Sequence, residues 1–114
     1  MFRLLNQFKN KNILIYGFGK SGKSCFNYLI KNNNLKIYED DNSAVPKNLK
    51  KYIVKKTKLI SSLFDIIIIS PGIDINKCKI KNYLKKNLKK IITDLDIFFE
   101  TNRNVQIISI TGTN

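Results

Sequence analysis

Three glycines, Gly17, Gly19 and Gly22, with Phe18, Lys20 and Ser21 between them, are the residues of this 114-residue sequence whose types and spacing suit chemistry. They follow an apolar stretch, Asn12 to Tyr16, and open a helix-length segment, Ser21 to Lys31. In that context a G-x-G-x-x-G run suits a diphosphate. The first glycine permits a tight turn, the second lets the backbone approach phosphate, and the third lets helix and strand pack closely, with the anion at the helix amino terminus. The companion of such a loop is an acid about twenty residues on, at the end of the next strand. Glu39-Asp40-Asp41 stands there. The plainer alternative is a glycine turn that only joins strand to helix.

The same residues spell a rival motif. Gly17 through Ser24 also reads G-x-x-x-x-G-K-S, which would set Lys23 on terminal phosphates and Ser24 on magnesium. That chemistry needs an aspartate at the end of a neighbouring apolar strand. The best candidate strand, Ile66 to Ile69, ends instead in Ser70-Pro71-Gly72-Ile73, so the doubled glycines and the acidic cluster favour the dinucleotide-type loop. Ser70-Pro71-Gly72 falls where open parallel sheets bind ligands, and offers a hydroxyl, a fixed dihedral and a glycine beside free amides. A Pro-Gly turn without function competes with that reading.

Positioning these loops calls for alternating strands and helices. Apolar runs of strand length occur at Asn12 to Tyr16, Leu35 to Tyr38, Tyr52 to Val54, Ile66 to Ile69, Lys90 to Ile92 and Val105 to Ile110. Helical segments are expected at Ser21 to Lys31, Pro46 to Lys50, Lys58 to Leu63, Asn76 to Asn87 and Asp94 to Asn102. The predicted fold class is α/β: a parallel sheet of about five strands with helices on both faces, plus a final strand. Ile66-Ile67-Ile68-Ile69 has the unbroken character of a strand buried on both sides. In the first helix Cys25, Tyr28 and Leu29 share one stripe, with Phe26 and Ile30 beside it.

Composition narrows the classes further. With 43% hydrophobic and 25% charged residues the chain suits one globular domain. No apolar run is long enough to cross a bilayer or to serve as a signal peptide, so a cytoplasmic location and no membrane partner are expected. The net charge of +13 raises nucleic acid. The lysines, however, are scattered and travel with asparagine and isoleucine, as in Lys31-Asn32-Asn33-Asn34, and a solvated basic surface is favoured over a nucleic-acid site. Cys25 and Cys78 fit no metal or redox spacing, and no metal site is expected.

Five segments in order carry a resemblance: Ile15 to Ser24, Glu39 to Asn42, Ile69 to Ile73, Thr93 to Phe98, and Ile110-Thr111-Gly112-Thr113-Asn114. Together they resemble the amino-terminal domain of the Mur ligase family, specifically the branch that adds D-glutamate to UDP-N-acetylmuramoyl-L-alanine in peptidoglycan synthesis. The resemblance implies a Rossmann-like domain over residues 1–104 that holds the UDP part of the substrate. It also implies that 105–114 are the first strand and partial phosphate loop, Thr111, Gly112, Thr113 and Asn114, of an ATP-binding central domain. By position, Gly19, Lys20 and Ser21 would meet the diphosphate, Asp40 the uracil end, and Ser70, Pro71 and Gly72 the pocket beside it. Glu39 and Asp41 remain open as alternatives to Asp40, which stands 23 residues after Gly17. Asp94 is expected to cap its helix.

The resemblance further implies magnesium and ATP as cofactors, and D-glutamate as second substrate, for a full-length enzyme. For these 114 residues it implies UDP-sugar binding by a monomer, no bound cofactor, no catalytic residue and no ligase activity alone. A stand-alone NAD-type regulatory domain and a phosphate-loop protein using Gly17 to Ser24 are the alternatives.

Overall fold

The computed structural model describes residues 9–101. The expected strand Val105 to Ile110 and the partial phosphate loop at Thr111, Gly112, Thr113 and Asn114 lie outside these residues.

Strand β1 (Asn12–Tyr16) has apolar side chains from Ile13 to Tyr16, all fully buried, so both of its faces need a cover. It sits in the middle of a four-stranded parallel sheet. Its neighbours are β2 (Asn34–Tyr38) and β3 (Ile66–Ile69), and β3 in turn pairs with β4 (Ile91–Thr93), giving the order β2-β1-β3-β4. Period-two alternation splits the core in two. Ile13, Ile15, Leu35, Ile37, Ile66 and Ile68 face one side, under α1 (Lys20–Leu29) and α4 (Asp94–Thr101). Leu14, Tyr16, Tyr38, Ile67 and Ile69 face the other, under α2 (Lys56–Leu59) and α3 (Lys81–Lys86). Burial of one such isoleucine or leucine contributes about 1.5–3 kcal/mol, which explains the unbroken apolar runs.

Helix α1 forms because Gly22, Cys25, Phe26 and Leu29 recur at helical spacing and face the sheet. It stops where the sequence turns to asparagine, and Asn33 Nδ2 donates to the Leu29 carbonyl at 3.1 Å. Tyr28, expected on the buried stripe, is 48% exposed. The stripe runs through Phe26 instead, whose ring meets Phe18 and Tyr52 edge to face.

Among the described residues the sheet has four strands and not about five. Tyr52 to Val54 is reduced to a single parallel bridge, Ile37 to Ile53, with Val54 N donating to the Ile37 carbonyl at 2.9 Å. The 3₁₀ helix Lys47–Tyr52 extends beyond the expected Pro46 to Lys50 piece and takes Tyr52 out of any strand. Three lysines, at 47, 50 and 51, punctuate that segment and deny it a second apolar face. The other helices are shorter than expected: α2 ends at Leu59, not Leu63, and α3 begins at Lys81, after turns that occupy most of 76–80.

Candidate functional site

The chain passes from β1 to β2 on one side and then crosses back past β1 to β3 on the other, so the strand order reverses beside β1, the switch point at whose carboxyl edge open parallel sheets bind ligands in a crevice. Three loops meet there: Gly17 to Gly19 after β1, Glu39 to Asp41 after β2, and Ser70 to Gly72 after β3.

The first loop is held from both ends. Gly17 has φ +93°, and a Cβ on it would press against Ser70 Cβ at 2.9 Å and Ile73 Cδ1 at 3.0 Å. A Cβ on Gly22 would overlap the Gly17 carbonyl oxygen, so only glycine lets α1 start so near β1. Phe18, between them, is buried against Phe26 and anchors the loop. Gly19 differs: a Cβ there meets nothing within 4 Å. As the amino-terminal cap of α1 it supplies no side-chain acceptor, and the first turn contains no acid. The first-turn N–H groups, Lys20 and Ser21 among them, therefore have no intrahelical acceptor and point toward the crevice with the positive end of the helix dipole. Lys20 is exposed beside them and Ser21 is half-buried.

The three consecutive acids have separate tasks. Glu39 Oε1 accepts from Phe18 N at 2.7 Å and Oε2 from Asp41 N at 3.3 Å, so Glu39 ties the first loop to the second. Asp41 Oδ1 accepts from Ser43 N at 3.0 Å and Ser43 Oγ at 2.6 Å, and these bonds hold its carboxyl below the ordinary value. Asp40, exposed, accepts from the Tyr16 hydroxyl, 3.0 Å to Oδ2 and 3.2 Å to Oδ1. Burial first, and then the Asp40 carboxylate, push the Tyr16 phenol far above its usual value.

In the third loop Ser70 is half-buried and its Oγ donates to the Gly17 carbonyl at 3.3 Å, while Ser70 N donates to the Tyr16 carbonyl at 3.1 Å. Pro71 and Gly72 are exposed, and a Cβ on Gly72 meets nothing within 4 Å. The structure thus brings Ser70 against the first loop, with Gly19, Lys20 and Ser21 on that loop's outer side and Asp40 at the end of the adjoining strand. Sequence reasoning missed two participants, Tyr16 and the Phe18 amide. A tyrosine ending an otherwise aliphatic strand was the available signal for the first; a backbone donor leaves none.

Gly17 to Ser24 does not form a phosphate loop. Helix α1 already begins at Lys20, so Gly22, Lys23 and Ser24 are helical, and Lys23 N bonds the Gly19 carbonyl at 3.0 Å. Asp94 does not cap α4 either. Asp96 Oδ2 accepts from Thr93 N at 2.9 Å and Thr93 Oγ1 at 3.3 Å, the box that an acid in the first turn makes with the residue before the helix. Asp94 Oδ1 is buried with no protein partner. Its charge, after burial itself, helps push the Cys25 thiol up to about 11.

Among the described residues no group of three or more His, Cys, Asp or Glu is arranged to hold a metal ion, and no helix is long and apolar enough to cross a membrane. A groove of about 670 Å³ lies elsewhere, where β1 and β2 begin, lined by Asn12, Asn34, Lys36, Lys55 and Lys58 over Phe64. It lacks the convergent amides and acids of the carboxyl edge, and we take the latter as the candidate site.

The chain is similar to the UDP-N-acetylmuramoylalanine–D-glutamate ligases of Rickettsia bellii (33% identity over 111 residues, 93% of this chain and 24% of the relative) and Rickettsia prowazekii (32% over 114 residues, 96% and 25%). It is also similar to that of Haemophilus influenzae (30% over 118 aligned positions, 96% and 26%). The chain spans about a quarter of the length of these curated relatives. No solved structure matches it. The profile of the Mur ligase MurD-like, N-terminal domain matches residues 11–92, from the start of the sheet to its last strand and through all three loops, and the chain belongs to that family.

Proposed function

We propose that this chain is the UDP-binding portion of a ligase that joins D-glutamate to UDP-N-acetylmuramoyl-L-alanine in the cytoplasm, for peptidoglycan synthesis. The observation that carries the reading is the uncapped start of α1. Its free amides, the open side of Gly19 and the Lys20 charge form a receptor for a diphosphate. Gly19, Lys20 and Ser21 bind that group, Ser21 adding its hydroxyl.

Asp40 belongs at the other end of the ligand, because a free carboxylate beside the diphosphate would repel it. Asp40 is exposed and its carboxylate is oriented by the Tyr16 hydroxyl, which leaves lone pairs to accept from a nucleoside N–H, while Glu39 is tied to Phe18 N and Asp41 to its own turn at Ser43. Ser70, Pro71 and Gly72 form the wall beside the base. The bond from Ser70 to the Gly17 carbonyl means that a ligand gripped by one loop is registered against the other.

The described residues bind and orient, and supply no group that transfers a phosphoryl or activates an amine. In the relatives' reaction magnesium-ATP would supply carboxylate activation, and Thr111, Gly112, Thr113 and Asn114 would belong to its phosphate loop. Calorimetry with UDP-N-acetylmuramoyl-L-alanine, ATP and NAD in parallel tests the proposal. A response to the UDP-sugar alone is expected; binding of NAD or ATP without one would overturn it.

A further inference from the structure

Tyr16 is the last residue of β1, immediately before Gly17, and its side chain lies in the core face shared with Tyr38 and Ile69. It is fully buried, and its ring packs edge to face on Tyr38 with centroids 5.1 Å apart. A phenol in such a place gains nothing from its hydroxyl unless a partner is supplied, since an unpaired buried hydroxyl destabilises the fold where phenylalanine would not. The partner is Asp40, an exposed residue of a different loop, 24 positions away. An exposed aspartate ordinarily samples several rotamers. One whose two oxygens are held by a hydroxyl fixed in the sheet does not, and the ordering needed for binding is done before the ligand arrives.

Resting on the reading that Asp40 meets the nucleoside, we propose that Tyr16 is a positioning residue for base selection: its buried hydroxyl holds the Asp40 carboxylate so that a free lone pair accepts the N3–H of a uracil. Uracil carries a hydrogen on N3 and cytosine carries none, so a fixed acceptor favours uridine over cytidine diphosphate. An acceptor that swings freely distinguishes them less. Tyr16 touches no ligand atom in this arrangement, and the diphosphate is left to α1.

The test measures calorimetric affinities of the chain for UDP, CDP and inorganic pyrophosphate, in the wild type, Tyr16→Phe, Asp40→Asn and the double variant. Phenylalanine keeps the ring in the core, and a thermal transition checks that the fold is retained. Tyr16→Phe should weaken UDP binding about five- to tenfold, leave CDP and pyrophosphate unchanged, and have no further effect in the Asp40→Asn background, since the hydroxyl acts through that carboxylate. An equal loss for all three ligands, or an undiminished loss on top of Asp40→Asn, would reduce Tyr16 to packing and overturn the inference. So would unchanged UDP affinity in Tyr16→Phe. Asp40→Asn, on the surface, tests the pair without touching the core: an unaltered UDP-to-CDP ratio there also overturns it. Wild-type protein that ignores UDP would sink the uridine reading itself, a result distinct from all of these.

Discussion

The two edges of this sheet are built from the same four strands and differ in nearly everything else. At the amino edge, lysines 36, 55 and 58 surround an apolar floor, and none has an ion-pair partner among the described residues. At the carboxyl edge, backbone amides, a serine and three acids are held by named bonds within a few residues of β1. The amino edge has volume and charge; the carboxyl edge has fixed directions. A ligand recognised by geometry needs the second, because ordering flexible lysine side chains on binding costs about 0.5–1.5 kcal/mol each.

The largest contrast should come from glycines. Gly22→Ala sets a Cβ against the Gly17 carbonyl and should lower stability by about 3 kcal/mol, a fall in Tm of more than about 10 °C by calorimetry. Gly72→Ala, in open space, should change it by less than about 0.5 kcal/mol. Equal effects would mean that the two loops are not packed as described.

A smaller loss is expected from Glu39→Gln. Its carboxylate bond to Phe18 N joins two of the three loops, and its weakening should cost about 1 kcal/mol in chemical denaturation while loosening UDP affinity. Neutralising the amino edge by Lys36→Gln, Lys55→Gln and Lys58→Gln together should alter UDP affinity less than about twofold, measured at constant ionic strength. A larger drop would move the candidate site to that edge.

Alkaline pH probes the core between the edges. Cys25 is raised from 9.0 to about 11 and Tyr16 is raised from 10.0, both chiefly by burial. The unfolded chain therefore gives up these protons first, and the stability gained from keeping them neutral is complete below about pH 9 and is lost as pH rises toward 11 and beyond. Tm recorded from pH 8 to 11 should fall, and Cys25→Ala should make the decline between 9 and 11 shallower.

Much of the carboxyl edge was legible because its requirements are local. Gly17 and Gly22 announce a turn and a close approach whatever surrounds them, and β1 and β3 could only be buried strands. The third strand of the prediction failed because Tyr52 to Val54 has strand composition but sits after a lysine-rich 3₁₀ segment that leaves one residue to pair. Tyr28 was misplaced because helical spacing admits two adjacent stripes, and only the position of the Phe18 and Tyr52 rings chose the one through Phe26. The role of Asp94 was misread for a similar reason: either acid of Asp94-Leu95-Asp96 can serve a helix start, and the backbone at Thr93 selected Asp96.

The amino-acid sequence alone determined the α/β class, the glycine loop and the five segments that mark the Mur ligase family, since each depends on residue type and spacing. Tertiary structure decided which acid serves which loop. Glu39, Asp40 and Asp41 are chemically near-equivalent neighbours, and only the arrival of Phe18 N, the Tyr16 hydroxyl and Ser43 from three directions makes them different. Hydrogen bonding is directional, and directions across a sheet are not written in the spacing of a chain.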